Sequence, residues 1–146
     1  MDYINMIGKA EALARARHSG QVDKAGKDYF EAHIRKVADI AERLYGTGSA
    51  VVIALLHDLL EDTPTTSDEL RREFPDEIVD AVIALTRRKG EEYMDYIVRV
   101  KRNRLAASVK VCDLIQNMDL SRIPNPDDKD RRRAEKYAKA LVELMR

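Results

Sequence analysis

The sequence predicts an all-α fold, a single-domain helical bundle over residues 1–146. Its six glycines and four prolines fall almost entirely between segments rich in Ala, Leu, Glu, Lys and Arg. These five residue types favour helices, whereas glycine and proline end them. No stretch alternates polar and apolar residues with the period of two that a half-buried strand shows. A chain of this length is long enough for one hydrophobic core and short for two.

A polar loop separates the first two predicted helices. The first helix spans Asp2 to Arg17, and Ser19–Asp28, which contains two glycines, forms the loop. The second helix runs from about Tyr29 to Tyr45, because its apolar residues recur at helical spacing. Gly46 and Gly48 end it. Its apolar stripe consists of Phe30, Val37, Ala41 and Leu44.

The third helix is predicted to lie at the centre of the bundle. It extends from Ala50 to about Glu61 with Ser49 as its N-cap, and Thr63-Pro64 ends it. The run from Ala50 to Leu56 is entirely apolar. A helix that is apolar nearly all round is a buried helix, whereas a surface helix keeps a polar face.

The second half of the chain divides into four shorter helices and a long final one. The four are predicted at Asp68–Glu73, Pro75–Thr86, Tyr93–Lys101 and Asn103–Met118. The basic stretch Arg87 to Gly90 connects the second of these to the third. Ile123–Asp130 is predicted as a loop, in which Asn125 caps the last helix and Pro126 occupies its first turn.

Composition excludes several classes of protein. The 26 basic and 26 acidic side chains balance, whereas a nucleic-acid-binding domain is usually strongly basic. The longest apolar run is far shorter than the roughly twenty residues of a membrane span, and the N-terminus lacks the apolar region of a signal peptide. We therefore expect a cytoplasmic protein that binds neither nucleic acid nor membrane, and the sequence leaves open whether it forms a homo-oligomer. The lone cysteine, Cys112, restricts any metal to histidine and carboxylate ligands.

Ionisable side chains follow the apolar part of the third helix. They are His57, Asp58, Glu61 and Asp62. Burying a carboxylate without a positive partner is costly, so a central helix with these residues needs a cation beside it. The adjacent pair His57-Asp58 supplies two ligands to a metal ion if other helices bring more.

Two other helices carry suitable ligands. His33 lies on the apolar face of the second helix and therefore points inward, although a single histidine there is more often a core residue bonded to a backbone carbonyl. Lys110, Asp113 and Asn117 are spaced i, i+3 and i+7, so that they share one helical face. Such a face alone also fits a solvated surface. The combination of these patches on separate helices favours one shared site.

In chain order, these residues resemble the H…HD…D pattern of the HD-domain metal-dependent phosphohydrolases. More narrowly, the chain is similar to the hydrolase domain of the RelA/SpoT family and its small stand-alone relatives. Three segments carry this similarity: His18-Ser-Gly-Gln21 (HxGQ in the family), His57-Asp58-Leu-Leu-Glu-Asp-Thr63 (HDxxEDT) and Lys110-Val-Cys-Asp113-Leu-Ile-Gln-Asn117-Met118 (KLADRLHNM). The resemblance implies a helical bundle of the HD-domain type that removes the 3′-pyrophosphate from guanosine 3′,5′-bis(diphosphate) or a related nucleotide.

The resemblance also implies roles for individual residues. One Mn²⁺ per chain would be held by His33, His57, Asp58 and Asp113, although zinc or iron accepts the same ligand types. Glu61 and Asp62 match the acidic pair that the family uses around the attacking water. The implied nucleotide contacts are Lys24, Lys89, Lys110, Asn117, Arg133 and Tyr137. For Arg133, a solvent-exposed charge is the alternative.

The chain departs from the family pattern at three places. Asp23 replaces the arginine of the family's RKxG loop, and the interval from Tyr29 to His33 is one residue longer than usual. Leu114 and Gln116 replace an arginine and a histidine.

Two other functions stay open beside the pyrophosphohydrolase. One is an HD-type nucleotide phosphomonoesterase that resembles a 5′-nucleotidase, and the other is a metal-binding sensor that holds a nucleotide without hydrolysing it. The presence of Glu61 and Asp62 argues against the sensor, because a protein that only binds has no need of paired acids beside the attacking water.

Overall fold

The computed structural model describes residues 2–146, most of which are helical. The helices are α1 Tyr3–Arg17, α2 Arg35–Tyr45, α3 Ser49–Leu56, α4 Leu59–Asp62, α5 Ser67–Glu73, α6 Asp76–Leu85, α7 Tyr93–Lys101, α8 Arg104–Met118 and α9 Asp128–Met145. A π-helical turn, Phe30–Ile34, leads into α2, and a 3₁₀ turn, Leu120–Arg122, precedes α9. Over this range no strand forms beyond an isolated bridge between Val22 and Asp28. The predicted all-α class is therefore confirmed.

Helix α3 forms the centre of the bundle, as its sequence predicts. Every residue from Ala50 to Leu56 is buried, and α3 packs against α1, α2, α6 and α8. Neighbouring helices therefore surround α3 on several sides. The residues that follow Leu56 begin at the end of this buried helix. None of the helices described is long and apolar enough to span a bilayer.

The predicted third helix is in fact two helices. Helix α3 ends at Leu56, and the short helix α4 begins at Leu59 after a turn formed by His57 and Asp58. The predicted cap is also wrong, because Gly48 occupies the N-cap position and Ser49 is already helical, with no side-chain capping bond. The interruption places His57 and Asp58 in a turn instead of within a continuous helix.

The predicted second helix begins with a π-helical turn. The backbone N–H of Arg35 donates to the carbonyl of Phe30, five residues earlier, instead of four residues earlier as in an α-helix. Such a turn contains more residues than an α-helical turn, which fits the longer interval between Tyr29 and His33 that the family resemblance implies. The rings of Tyr29 and His33 remain neighbours, with centroids 5.3 Å apart.

The last helix begins later than predicted. Asp127, and not Asn125, is its N-cap: the Asp127 carboxylate accepts from the backbone N–H of Asp130 at 2.8 Å, and the Asp130 carboxylate accepts from that of Asp127 at 3.0 Å. Asn125 instead adopts a left-handed conformation with φ of 54°. The reciprocal pair of carboxylates satisfies two backbone donors and so decides where the helix starts.

The remaining predicted helices differ from the observed bounds by no more than one residue at either end. At three of them the residue predicted as the first of the helix is its N-cap: Asp2, Pro75 and Asn103. Asp2 accepts a hydrogen bond from the backbone of Asn5, and Asn103 accepts one from Ala106.

Candidate metal centre and its cavity

Three side chains meet at the turn between α3 and α4. His33 comes from the π-helical turn, and His57 and Asp58 form the α3–α4 turn itself. One ligand atom of each lies within 4.8 Å of the others. Oδ2 of Asp58 is 3.6 Å from Nε2 of His33 and 3.3 Å from Nε2 of His57. These distances suit three ligands of one metal ion.

Asp113 of α8 completes the group. Its Oδ1 atom is 3.0 Å from Nε2 of His33 and 3.5 Å from Nε2 of His57. Its other oxygen accepts from Nζ of the buried Lys110 at 2.8 Å. Burial alone would raise the pKa of Asp113, but Lys110 and the two histidines hold that pKa well below its usual range. The structure thus brings together all four residues that the sequence suggests as ligands.

His57 is oriented as a metal ligand requires. Its Nδ1 atom is 2.6 Å from the carbonyl oxygen of Ala54, and since a carbonyl only accepts, Nδ1 is the protonated nitrogen. The buried Nε2 atom finds no hydrogen-bond partner in residues 2–146. Burial lowers the pKa of His57, yet Asp58 and Asp113 outweigh it and raise the pKa to about 9. The site therefore attracts positive charge, and the donor set fits a divalent metal.

Tyr29 forms a hydrogen bond with Asp58. Its hydroxyl donates to Oδ2 of Asp58 at 2.5 Å, the oxygen that also faces His33 and His57. Burial and the Asp58 charge raise the pKa of Tyr29 above its usual value, so the hydroxyl stays a donor. Tyr29 has no role among the residues that the family resemblance assigns. Its spacing from His33 was the available signal, but the contact depends on the π-helical turn.

The acidic pair lies on α4, beside the metal centre. Glu61 and Asp62 both line the cavity, and Oε1 of Glu61 accepts from the backbone N–H of Arg87 at 2.9 Å. Burial, followed by the charges of Asp58 and Glu61, raises the pKa of Asp62 to about 6. A carboxylate with this pKa is a stronger base than an ordinary aspartate.

The His18–Gln21 segment fixes the backbone of the acidic pair. Nε2 of Gln21 donates to the carbonyl oxygen of Asp62 at 3.0 Å. Oε1 of Gln21 is 2.8 Å from Nδ1 of the buried His18. Because an amide that donates through nitrogen accepts through oxygen, His18 donates in this pair. The HxGQ-like segment thereby ties the loop after α1 to the end of α4.

The cavity around this centre has a volume of about 450 Å³. Four of the six predicted nucleotide contacts line it: Lys24, Lys110, Asn117 and Tyr137. The charge of Lys110 is engaged by Asp113, and that of Lys24 by Asp130, whose side chain is 2% exposed. Two of the four therefore reach the cavity with their charges already paired.

The structure does not bring Lys89 and Arg133 to the cavity wall. Lys89 is exposed in the connection between α6 and α7. Arg133 lies with a guanidinium nitrogen 3.6 Å from Oδ1 of Asp130, in keeping with the surface-charge alternative. Only their positions relative to the family's motifs indicate that Lys89 and Arg133 contact the nucleotide. Motif position does not define the direction of a long side chain.

Three other cations line the cavity instead: Arg87, Arg122 and Lys136. Arg87 belongs to the same basic connection as Lys89, and Lys136 adjoins Tyr137. Nζ of Lys136 lies 4.0 Å from the ring centroid of Tyr93. Burial, and then the charges of Arg87 and Arg133, lower the pKa of Lys136. Such a concentration of positive charge in a cleft suits a small polyanion.

A family model described as an HD domain matches residues 10–112 of the chain. The "Probable GTP pyrophosphokinase" of Mycobacterium leprae is 32% identical over 150 residues, which cover 97% of this chain and 19% of that protein. The "Guanosine-3′,5′-bis(diphosphate) 3′-pyrophosphohydrolase" of Haemophilus influenzae is 35% identical over 130 residues, covering 82% of this chain and 19% of that protein. The chain thus spans about a fifth of the length of these relatives.

The fold is also similar to that of a solved structure. That protein is described as a metazoan ortholog of SpoT that hydrolyzes ppGpp and plays a role in starvation responses. The TM-score is 0.78 at 20% sequence identity, and the match covers 97% of this chain and 85% of the other. The two proteins therefore share the same helical architecture.

Proposed function

Because this chain belongs to the HD-domain family, we propose that it is a Mn²⁺-dependent phosphohydrolase that removes the 3′-pyrophosphate from guanosine 3′,5′-bis(diphosphate) or a related nucleotide. Residues 1–146 would act as one hydrolase domain. The activity named for the Haemophilus influenzae relative and for the metazoan structure supports this choice of substrate.

One observation carries the proposal. Two histidines and a carboxylate come within metal-binding distance of one another directly beside the acidic pair Glu61 and Asp62. A structural metal site has no need of adjacent unliganded acids or of a cationic cavity, whereas a hydrolytic site needs a ligand set, a proton acceptor and a place for the phosphates. The mixture of imidazole and carboxylate donors supports Mn²⁺ as the proposed ion.

Each part of the site has a task in the proposed reaction. Water attacks the phosphorus bonded to the 3′ oxygen, that phosphorus–oxygen bond breaks, and pyrophosphate leaves guanosine 5′-diphosphate behind. Glu61 and Asp62 orient the water and accept its proton, and the 3′ oxygen is protonated as it leaves. The cations of the cavity hold the phosphate oxygens in place. A bound Mn²⁺ supplies Lewis-acid stabilisation of the negative charge that develops on the phosphate.

The test is product analysis with purified protein loaded with Mn²⁺. Guanosine 3′,5′-bis(diphosphate), its pentaphosphate relative and a set of nucleoside 5′-monophosphates are incubated separately, and the products are identified by phosphorus NMR and chromatography. We expect pyrophosphate and guanosine 5′-diphosphate from the bis(diphosphate). The Glu61→Gln variant, prepared in parallel, controls for a contaminating phosphatase.

Two results would contradict the proposal. Inorganic phosphate from 5′-monophosphates, without cleavage of 3′-pyrophosphorylated nucleotides, would make the chain a phosphomonoesterase. Binding of the bis(diphosphate) with no product over long incubation at saturating Mn²⁺ would make it a nucleotide sensor.

A further inference from the structure

The loop that carries Asp23 and Lys24 provides little free positive charge. Oδ1 of Asp23 accepts from the backbone N–H groups of Ala25 and Lys27, both at 2.9 Å, so this carboxylate closes the loop. Lys24 is paired with the buried carboxylate of Asp130. The position that carries an arginine in the similar family is therefore occupied here by a structural acid, and the neighbouring cation is already compensated.

Arg122 lies on the same side of the cavity and has unused donors. It ends the 3₁₀ turn between α8 and α9 and donates from one Nη atom to the carbonyl oxygen of Asn117 at 3.3 Å. Its Nε atom is buried without a hydrogen-bond partner, and no carboxylate of residues 2–146 lies within ion-pair distance of its guanidinium. A partly buried guanidinium with free N–H groups is suited to a phosphate, which it can bind through two parallel hydrogen bonds.

Arg122 is close to the loop position that lacks the arginine. Arg122 and Asp23 both line the cavity, and both also line the shallow surface pocket beside it. Among the cations that line the cavity, two others, Arg87 and Lys136, have no carboxylate partner in residues 2–146, and neither lines this shallow pocket. Of these three cations, Arg122 is therefore the one on the side of the cavity formed by the Asp23–Lys24 loop, which is called the loop side.

We propose that Arg122 binds a phosphate group of the substrate on the loop side of the cavity and so replaces the arginine that position 23 lacks. This inference rests on the proposed function for the identity of the substrate. It makes Arg122 a residue that determines affinity for the polyphosphorylated nucleotide. Arg122 has no part in the proton transfer, because the acidic pair lies on α4 and contacts other residues.

The test compares Arg122→Gln with Arg132→Gln. Arg132 is an exposed arginine of α9 outside the cavity, so its variant removes the same charge without touching the site. For Arg122→Gln we expect KM for guanosine 3′,5′-bis(diphosphate) to rise about 10- to 100-fold, the usual worth of a hydrogen bond to a charged group. The kcat value should change by less than about twofold, and Arg132→Gln should match the wild type.

Arg122→Lys distinguishes loss of phosphate binding from a purely structural effect of the substitution. Lysine keeps the charge and a donor for the Asn117 carbonyl but loses the paired N–H groups, so its KM should lie between those of wild type and Arg122→Gln. A loss of kcat in both variants with unchanged KM, or a KM unchanged in both, would overturn the inference while leaving the proposed function intact.

Binding of inorganic pyrophosphate to the Mn²⁺-loaded protein separates this inference from the proposed function. Calorimetry needs no turnover, so it applies even if no nucleotide is cleaved. We expect Arg122→Gln to weaken pyrophosphate binding by the same 10- to 100-fold and Arg132→Gln to leave it unchanged. If wild-type protein hydrolyses no 3′-pyrophosphorylated nucleotide, the proposed function fails. If wild type and Arg122→Gln bind pyrophosphate equally, the Arg122 inference fails.

Discussion

At the scale of single residues, the carboxylate of Asp58 illustrates how the site is held. One of its oxygens faces both His33 and His57 and also accepts from the hydroxyl of Tyr29. A carboxylate with this many neighbours has little rotational freedom. Residues that orient metal ligands in this way contribute to metal affinity although they do not touch the ion.

Replacing Tyr29 by phenylalanine should weaken Mn²⁺ binding by about 10- to 100-fold, because Asp58 loses the donor that fixes its orientation. Affinity is measured by calorimetry or electron paramagnetic resonance in the absence of nucleotide. Tyr96→Phe is the matched control, since the Tyr96 hydroxyl is also buried but donates to the backbone carbonyl of Leu85. Equal metal affinities for Tyr29→Phe and wild type would exclude this role.

Glu61 is held by the backbone of Arg87, and glutamine preserves this contact because its amide oxygen also accepts. Glu61→Gln should therefore fold and retain its metal while turnover falls by roughly two to four orders of magnitude, the usual contribution of a positioned acid or base. Initial rates and elemental analysis of the same preparation check both statements. Glu42→Gln, on the exposed face of α2, serves as the control.

Either of two results would remove Glu61 from the proposed chemistry. Loss of the metal from Glu61→Gln would identify Glu61 as a metal ligand. Turnover at the wild-type rate would show that Glu61 takes no part in the reaction.

The resemblance to the H…HD…D pattern points to four candidate ligand positions, and the structure places their side chains next to one another. The sequence did not predict Tyr29 or Arg122. A tyrosine or arginine is equally common as a surface residue, and its direction depends on a local backbone geometry, the π-helical turn in one case and the 3₁₀ turn in the other. Lys89 and Arg133 illustrate the converse error, since motif position alone assigned them to a cavity that they do not line.

At the scale of elements, helix periodicity defined most boundaries, and the exceptions are local. The break after Leu56 could not be read from the sequence, because Leu59 and Leu60 resume the apolar pattern directly after His57 and Asp58. The start of α9 was missed because Asn125-Pro126 is a common helix-start signal, whereas the reciprocal bonds between Asp127 and Asp130 are stronger in the folded chain.

The connection between α6 and α7 is held by an ion pair that the sequence analysis did not assign. Both carboxylate oxygens of Glu91 accept from the guanidinium of Arg99, at 2.8 and 2.9 Å. Arg99 also donates to the carbonyls of Ala84 and Thr86 at the end of α6. Arg87, whose backbone N–H donates to Glu61, belongs to the same connection. The ion pair therefore helps to fix the segment that contacts the acidic pair.

This ion pair should make stability depend on acid pH. Hydrogen bonds from Arg99 lower the pKa of Glu91 from 4.5 to about 2, although the loss of solvent around Glu91 acts in the opposite direction. Because the folded-state pKa is the lower one, the pair stabilises the fold above about pH 4.5, and this contribution is lost as the pH falls toward 2. Urea unfolding of wild type and Glu91→Gln should therefore differ at pH 7 and converge between pH 4.5 and 2. Glu92→Gln, an exposed neighbour, should follow the wild type throughout, and a pH-independent difference would contradict the pairing.

At the scale of the whole molecule, the candidate metal centre joins segments that are far apart in the chain. His33 precedes α2, His57 and Asp58 lie between α3 and α4, and Asp113 belongs to α8. These elements also form the core around α3. An ion bound by all of them would be bound only in the folded state, so it would stabilise the fold by mass action.

Free Mn²⁺ at about 100 times its Kd should stabilise the protein by about 2.7 kcal/mol, which corresponds to a rise in Tm of about 5–10 °C. Differential scanning calorimetry with and without a chelator measures the shift. His57→Ala should lose both the shift and the bound metal, because the ligand nitrogen is gone. Full metal occupancy in a folded His57→Ala protein would show that the ion lies elsewhere.

The π-helical turn ahead of α2 affects how relatives of this chain are aligned. The family resemblance implies one extra residue between Tyr29 and His33, and in the structure this interval coincides with the π-helical turn, between two side chains that both face the site. An alignment gap belongs between Tyr29 and His33. Placed in the loop before Tyr29, it would pair that tyrosine with an unrelated residue and hide its contact with Asp58.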